Sequence, residues 1–322
     1  MRNLINPIIQ NSEFFLFGKN KIVFFLKEIF FLLSGAIKNK DIEYIHKLRV
    51  TSRRLRETIK IFQNCIDKSQ IKNIRKSVKR LAKTAGFARD LDVQILFLND
   101  FIKNLDKQSE YLKGVKRILF RIEQHRKEAQ KEIINEIRDF KNNKFIKNFL
   151  KTNESSDYII SDNFLENYSN DIFDVIEDEI KEVLKYEKYV NKEEKINEHH
   201  NMRIAIKHLR YSLEIFNEVY NNKLNIYIKK LKNMQDILGG MHDCDVWQDF
   251  IYNFLKNEKK LIKEYFGNLN NFYKIQKGAE FLFNNRVNKR KELYNEFKKE
   301  WQKLKKENFF ENIKNTIISK DT

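Results

Sequence analysis

HKLRVTSRRLR at residues 46–56 recurs as HNMRIAIKHLR at residues 200–210, 154 positions further along the chain. Each copy sets a histidine three residues before an arginine, a second cation four residues on and an arginine three beyond that. Ile61-Phe62 and Ile215-Phe216 follow at the same offset. On a helix wheel at about 100° per residue, Ile45, Leu48, Ser52, Leu55, Ile59 and Phe62 fall in one stripe, which reads as a core face. His46, Arg49, Arg53, Arg56 and Lys60 form a second stripe beside it. The later copy repeats the layout, with Met202, Ile206, Leu209, Leu213 and Phe216 inside and His200, Arg203, Lys207 and Arg210 alongside. Arg54 and His208 point away from the cation stripes.

Working outward, GFARDLDV at residues 86–93 matches GGMHDCDV at residues 239–246 at an offset of 153. In both, the glycine is expected to end one helix. Asp90 with Asp92, and Asp243 with Asp245, are expected to cap the next and fill its first turn. Helical periodicity runs from about Lys21 to Leu150, with breaks expected near residues 38–41, 67–69, 86–90 and 106–109. A polar stretch at residues 151–170 reads as a connection between two halves. Further helices are expected around residues 171–189, 197–220, 223–238 and 243–256, followed by a long basic tail. One proline and eight glycines in 322 residues leave little turn chemistry for a sheet protein, so the chain reads as all-α. The expected division is an amphipathic N-terminal region at residues 1–40, a first helical bundle at 41–160 and a second at 161–322.

The formal net charge of +18 implies an anionic partner. Lysine alone is a weak marker, because the abundance of Lys, Asn, Ile and Phe fits an AT-rich coding bias that would place lysines on any surface. Arginine is a better one: a chain that defaults to lysine places Arg49, Arg53, Arg54 and Arg56 within a single helix. Like charges three or four residues apart cost a helix about 0.2–0.5 kcal/mol per pair. Glu57 and Glu214 lie four residues past Arg53 and Arg210 and could each neutralise one cation, but neither stripe contains an acid within its span. A ligand is therefore expected to supply the counter-charge. The next helix adds Lys72, Lys76, Lys79 and Lys83, and Lys229 and Lys232 stand at the positions of Lys76 and Lys79. Phosphate oxygens suit this set, since arginine offers a bidentate fork, lysine a point charge and histidine a charge that a dense anion promotes.

Cys65 and Cys244 are too few for a disulfide scaffold and lack metal-ligand spacing, which fits a reducing cytoplasm. The apolar segment 22–37 is interrupted by Lys27 and Glu28 and reads as an amphipathic helix, not a membrane anchor.

At the quoted motifs, together with RYSLEIF at residues 210–216, the sequence resembles the CHAD family, the conserved histidine α-helical domain. The resemblance spans roughly residues 21–301. It implies two helical bundles related by pseudo-twofold symmetry around a basic central groove or pore that binds inorganic polyphosphate. It also implies association with polyphosphate granules in a bacterial or archaeal cytoplasm. Carried onto this chain, the implied contacts are His46, Arg49, Arg53, Arg56, His200, Arg203, Lys207 and Arg210, with Lys76, Lys79, Lys229 and Lys232 behind them. Lys60 of the stripe and Arg89 of the second motif complete the expected polyphosphate site. Two departures stand out: His208 occupies a position where arginine is common, and His242 replaces the arginine matched by Arg89. The second half is therefore expected to bind less tightly. No catalytic residue, metal or cofactor is expected.

Three rival readings remain. Nucleic acid would use the same charge, although the phenylalanines and tyrosines mostly follow apolar stripes and read as core, not as base-stacking platforms. An HD-type phosphohydrolase would use His200 or His208 with His242 and Asp243 as a metal site, but an arginine fills the matched position in the first half. Glu177-Asp-Glu179-Ile-Lys181 matches an E-x-E-x-K metal signature that requires a strand, whereas the surrounding pattern is helical.

Overall fold

A computed structural model describes residues 13–63, 68–153 and 160–319. Among the described residues the chain is helical and contains no strand. The elements are α1 (Glu13–Lys38), α2 (Glu43–Ile61), α3 (Lys68–Lys103), α4 (Leu112–Lys141), α5 (Lys144–Thr152), α6 (Phe164–Leu184), α7 (Ile196–Phe216), α8 (Asn225–Phe266), α9 (Phe272–Lys306) and α10 (Phe309–Ile318). Cys65 lies outside the described residues, as do residues 154–159 of the stretch expected to connect the halves.

The apolar stripes lie where the wheel puts them. Ile45, Leu48, Ser52, Leu55, Ile59 and Phe62 are completely buried, and so are Met202, Ile206, Leu209, Leu213 and Phe216. They feed two cores. One gathers α1 to α5 and also takes Trp247, Ile251 and Phe254 from α8 and Ala279 and Leu282 from α9. The other gathers α6, α7, α10, the first half of α8 and the end of α9, with Phe17 and Phe62 reaching in from α1 and α2. At this seam the Phe62 and Phe216 rings lie 6.1 Å apart, edge to face, so the two stripes meet at their ends.

The expected breaks at residues 38–41 and 106–109 fall between helices, whereas the glycine motifs do not break the chain. Gly86 sits inside α3, and Gly239 and Gly240 inside α8, so one helix spans residues expected to form two. A glycine within a helix costs only about 1 kcal/mol relative to alanine, and long apolar faces on both sides outweigh that. Asp90, Asp92, Asp243 and Asp245 are therefore mid-helix residues, not caps. The second aspartate of each motif answers a buried arginine on the next helix: Arg126 of α4 donates to Asp92 at 2.5 Å, and Arg290 of α9 donates to Asp245 at 2.6 Å. Arg126 also donates to Asn39 at 2.8 Å, at the left-handed turn that ends α1.

Helices α4 and α9 cross with Gly114 against Gly278, where an added Cβ at Gly114 would stand 2.7 Å from the Gly278 Cα. This contact, with the Tyr111 and Phe281 rings stacked at 4.2 Å, ties the α3–α4 hairpin to the α8–α9 hairpin. Around α2 and α7 the order of packing is α3, α2, α7, α8, each helix touching the next.

The two aspartates of the first motif should separate cleanly on mutation. Asp92→Ala leaves the Arg126 guanidinium buried without its carboxylate and should cost about 3–5 kcal/mol in urea unfolding. Asp90→Ala, at a carboxylate with 62% of its side chain exposed, should shift stability by less than about 0.5 kcal/mol.

Candidate functional site

Because α2 and α7 bury one stripe each, their neighbouring stripes are carried to the junction between them. Two crossed ion pairs hold the junction: Arg54 Nε donates to Glu214 at 2.9 Å, and His208 Nδ1 bonds to Glu57. Arg54 and His208 are the matched residues that point away from the cation stripes, and each is committed to an acid on the other helix. Glu57 is buried, which works to raise its pKa, yet the hydrogen bond and charge of His208, with Lys60 beside it, bring the net shift below the usual carboxylate range.

The cations along the stripes divide into two groups. Some are answered within the protein. Lys60 Nζ lies 2.6 Å from Glu179 and 3.3 Å from Glu57. Arg210 pairs with Glu214, donates to Gln235 at 3.0 Å and lies over the Tyr211 ring. Arg49 Nη2 reaches Asp90 at 3.1 Å. The stripes hold no acid of their own; Glu214 answers Arg210 as its spacing suggested, whereas Glu57 turns to Lys60 and His208 and not to Arg53, and α3 and α6 supply Asp90 and Glu179, which the spacing did not reveal.

Other stripe cations have no carboxylate within ion-pair distance. Among the described residues, no ion pair or hydrogen bond from Arg53, Arg56, Arg89, Arg203 or Lys207 is seen. Six ring or guanidinium nitrogens among the described residues are buried with no hydrogen-bond partner, and four of them belong to this motif set, His46 Nδ1, Arg49 Nε, Arg89 Nη1 and Arg203 Nε, the others being His199 Nδ1 and Arg290 Nη2. Leaving such donors unmatched is costly, about 1–3 kcal/mol each and more when charged.

The electrostatics tie these groups together. Burial, then Arg53, Arg203 and Arg56, pushes the Lys207 ammonium down to about 8. Burial lowers Arg49, with Arg53 and Arg203 adding to it, and burial lowers Arg203, with Arg53 again opposing its charge while Asp243 and Asp90 favour it. His46 falls below its ordinary value through burial and then the charge of Arg89. Cations from α2, α3 and α7 thus feel one another across the junction.

The structure adds three residues to this neighbourhood. His242 of α8 meets His200 of α7, Nδ1 to Nδ1 at 3.0 Å. Burial, then Arg203 and His200, pushes His242 down to about 4, while burial, Arg203 and Lys207 lower His200. Arg75 of α3 acts on Arg56, and the Tyr211 hydroxyl acts on Arg49. Arg75 carried the same signal as the other arginines, a guanidinium in a lysine-rich helix; His242 showed as a departure from its matched arginine and as a candidate metal ligand, not as a partner of His200 in a cationic site. Lys76, Lys79, Lys229 and Lys232 are exposed on α3 and α8, and no contact ties them to the arginines.

A metal at the histidine pair would face Arg203 and Lys207, whose charges oppose a cation; among the described residues no group of three or more His, Cys, Asp or Glu side chains could hold one. Glu177 and Glu179 lie on α6 and splay apart, Glu177 to Lys181 at 2.6 Å and Glu179 to Lys60. A cavity of about 650 Å³ between α1 and α2 includes His46 and Arg54, but its rim of Glu28, Asp41 and Glu43 suits no polyanion.

The profile of the CHAD domain matches residues 26–252. The chain belongs to the CHAD domain family. The crystal structure of the CHAD domain from the plant Ricinus communis superposes with a TM-score of 0.61 at 19% identity, covering 84% of this chain and 86% of that one. PptA from Streptomyces chartreusis superposes at 0.54 with 10% identity, covering 88% of this chain and 99% of that one. At these identities the likeness is one of fold. No curated protein matches the sequence.

The histidine contact in this CHAD domain makes an acid-sensitive spot. With 3.0 Å between the facing nitrogens, one ring donates and the other accepts; a second proton between them has no place. Both pKa values are lowered on folding, so the unfolded chain binds more protons below about 6.5. Stability from the pair is therefore present above that pH and is lost as pH falls towards about 4. Urea unfolding of the wild type should weaken over this range, and His242→Asn should show a flatter profile.

Proposed function

We propose that this CHAD domain binds inorganic polyphosphate in a basic groove lined by both halves of the chain, residues 41–160 and 161–322, related by pseudo-twofold symmetry. The observation that carries the reading is the set of buried, unmatched nitrogens on His46, Arg49, Arg89 and Arg203, next to a Lys207 whose pKa is lowered first by burial and then by like charges. A linear anion repeating a charge every few ångströms would match the donors and relieve the repulsion together. Arg53, Arg56 and His200 complete the inner set. Lys76, Lys79, Lys229 and Lys232 extend the reach as point charges at the margin, while Lys60 and Arg210 shape the site from within their own ion pairs.

Binding is passive in this reading and requires no metal. Family membership supports the choice of polyphosphate over other polyanions. None of the described helices is long and apolar enough to cross a membrane, and a cytoplasmic place on polyphosphate granules belongs to the same proposal. Nucleic acid is the competing ligand. Polyphosphate should displace a fluorescent oligonucleotide at a far lower phosphate concentration than the reverse; equal potency would make this a general polyanion binder.

Charge reversal at Arg49→Glu together with Arg203→Glu should weaken polyphosphate binding by roughly a hundredfold or more, since two charge-assisted contacts at about 1.5–3 kcal/mol each are removed. Circular dichroism should show unchanged helical content, and near-normal binding at moderate salt would overturn the site. Binding should also take up protons. An anion raises the Lys207 pKa from about 8, so affinity should fall as pH rises above about 8 and level off beyond the bound value. Titration calorimetry in two buffers of different ionisation enthalpy reads the uptake directly, and Lys207→Arg should remove most of it.

A further inference from the structure

The α8–α9 hairpin ends in a tip that lies beyond the family-matched residues. Along α8, Ile251, Phe254, Glu258 and Ile262 mark the buried face, with Glu258 held by Arg117 at 2.8 Å and by Arg121. Tyr265 continues that spacing. Yet it is 85% exposed, and Phe266 beside it is 66% exposed. The helix thus outruns the bundle and carries its inward face into solvent. Gly267, at φ 71°, closes α8, and Tyr273 follows at the start of α9 with 59% exposure. From Asp243 to Phe266 the helix runs roughly 35 Å, so the tip stands apart from the cations at the α2–α7 junction.

Positive charge predominates around these rings. Lys256, Lys259, Lys260 and Lys263 are exposed on the last turns of α8 and Lys274 on the first turn of α9, while the exposed acids nearby are Glu264, 3.7 Å from Lys260, and Glu110, 2.6 Å from the Lys277 ammonium that lies over the Tyr273 ring. Exposed aromatic rings at the end of a projecting hairpin, encircled by ammonium groups on long apolar stems, match the two layers of a bilayer surface. The rings fit the boundary of headgroups and acyl chains, and the lysines reach anionic headgroups.

We propose that this tip docks peripherally on an anionic lipid bilayer, with Tyr265 and Phe266 entering the headgroup boundary and Lys259 and Lys263 engaging the lipid charge. A second copy of the chain is disfavoured as the occupant, because it would bring another lysine cluster against this one. The contact is adsorption by side chains and requires no spanning helix.

The test uses the full chain and sedimentation with vesicles of phosphatidylglycerol and phosphatidylcholine in a one-to-three ratio, against vesicles of phosphatidylcholine alone. The wild type should partition onto the anionic vesicles. Tyr265→Ser with Phe266→Ser should reduce that partitioning by about tenfold or more, as should Lys259→Glu with Lys263→Glu. Both should leave polyphosphate binding and helical content unchanged. Because the junction is also cationic, Arg49→Glu with Arg203→Glu serves as a second background, and vesicle binding should persist in it. In a Tyr265→Trp variant, emission should shift to the blue on vesicle addition, while Trp247 and Trp301, both buried, stay silent in the wild type. Vesicle binding that survives the aromatic change, or that vanishes in the junction variant, overturns the proposal. So does loss of self-association or of oligonucleotide binding in the tip variants with no vesicle binding by the wild type.

Discussion

Like charges are crowded at the junction of α2 and α7, and the fold has to hold them there against their repulsion. Two features do so. Each apolar stripe residue that is fully buried contributes about 1.5–3 kcal/mol, whereas each like-charge pair along a helix costs only about 0.2–0.5 kcal/mol. Packing therefore fixes the helices, and the cations follow because they occupy the adjoining face. Crossed pairs from Arg54 to Glu214 and from His208 to Glu57 then lock the two helices together with groups that face away from the crowd. The repulsion is tolerated, not removed: after burial, the charges of Arg53, Arg203 and Arg56 further lower the pKa of Lys207.

Acids are placed so that they grade the site. Glu57, Glu179 and Glu214 quench the ends of the stripes at Lys60 and Arg210. Asp90 touches Arg49, and Asp243 acts on Arg203 without a hydrogen bond to it. Arg53, between these points, has no acid against it. The cations least compensated by the protein thus lie at the middle of the junction, on both helices, and a polyanion would meet its strongest attraction there. In the proposed reading a phosphate at Arg49 would compete with the exposed Asp90 carboxylate.

Much of the fold was legible because amphipathic periodicity is a local property. Every residue assigned to the two apolar stripes is buried, and the absence of turn chemistry correctly announced a helical chain. The glycine motifs misled for a physical reason. Gly and Asp are the residues that favour helix ends, but that preference is worth about a kilocalorie, and the surrounding faces of α3 and α8 override it. What those motifs encode is tertiary: Asp92 and Asp245 each hold an arginine from the following helix across a hairpin, which no local spacing reveals. The site shows the same limit. Its cations could be read from helical spacing, but whether a given cation is free depends on Glu179 and Asp90, which arrive from α6 and α3. The meeting of His200 and His242 likewise needs α7 packed on α8.

Matched positions in the two halves use different cations, and this gives the junction a division of labour. Arg53 and Arg89 of the first half correspond to Lys207 and His242 of the second. A guanidinium keeps its charge under any physiological condition even when burial lowers its pKa, because the starting value is so high. Lysine and histidine do not share that margin: Lys207 stands at about 8 and His242 at about 4 before any anion arrives. At these two positions the first half therefore keeps its charge at any physiological pH, although its His46 is a group that loses charge on burial. In the proposed reading the second half supplies Lys207 and His242, whose pKa values an anion would raise, and binding would then be coupled to proton uptake. Replacing those two residues with arginine would strengthen attraction but would also add permanent charge to a junction already held together against its own repulsion. The weaker cations of the second half thus lower the repulsion in the site as it stands, and in the proposed reading they would regain charge beside a dense anion.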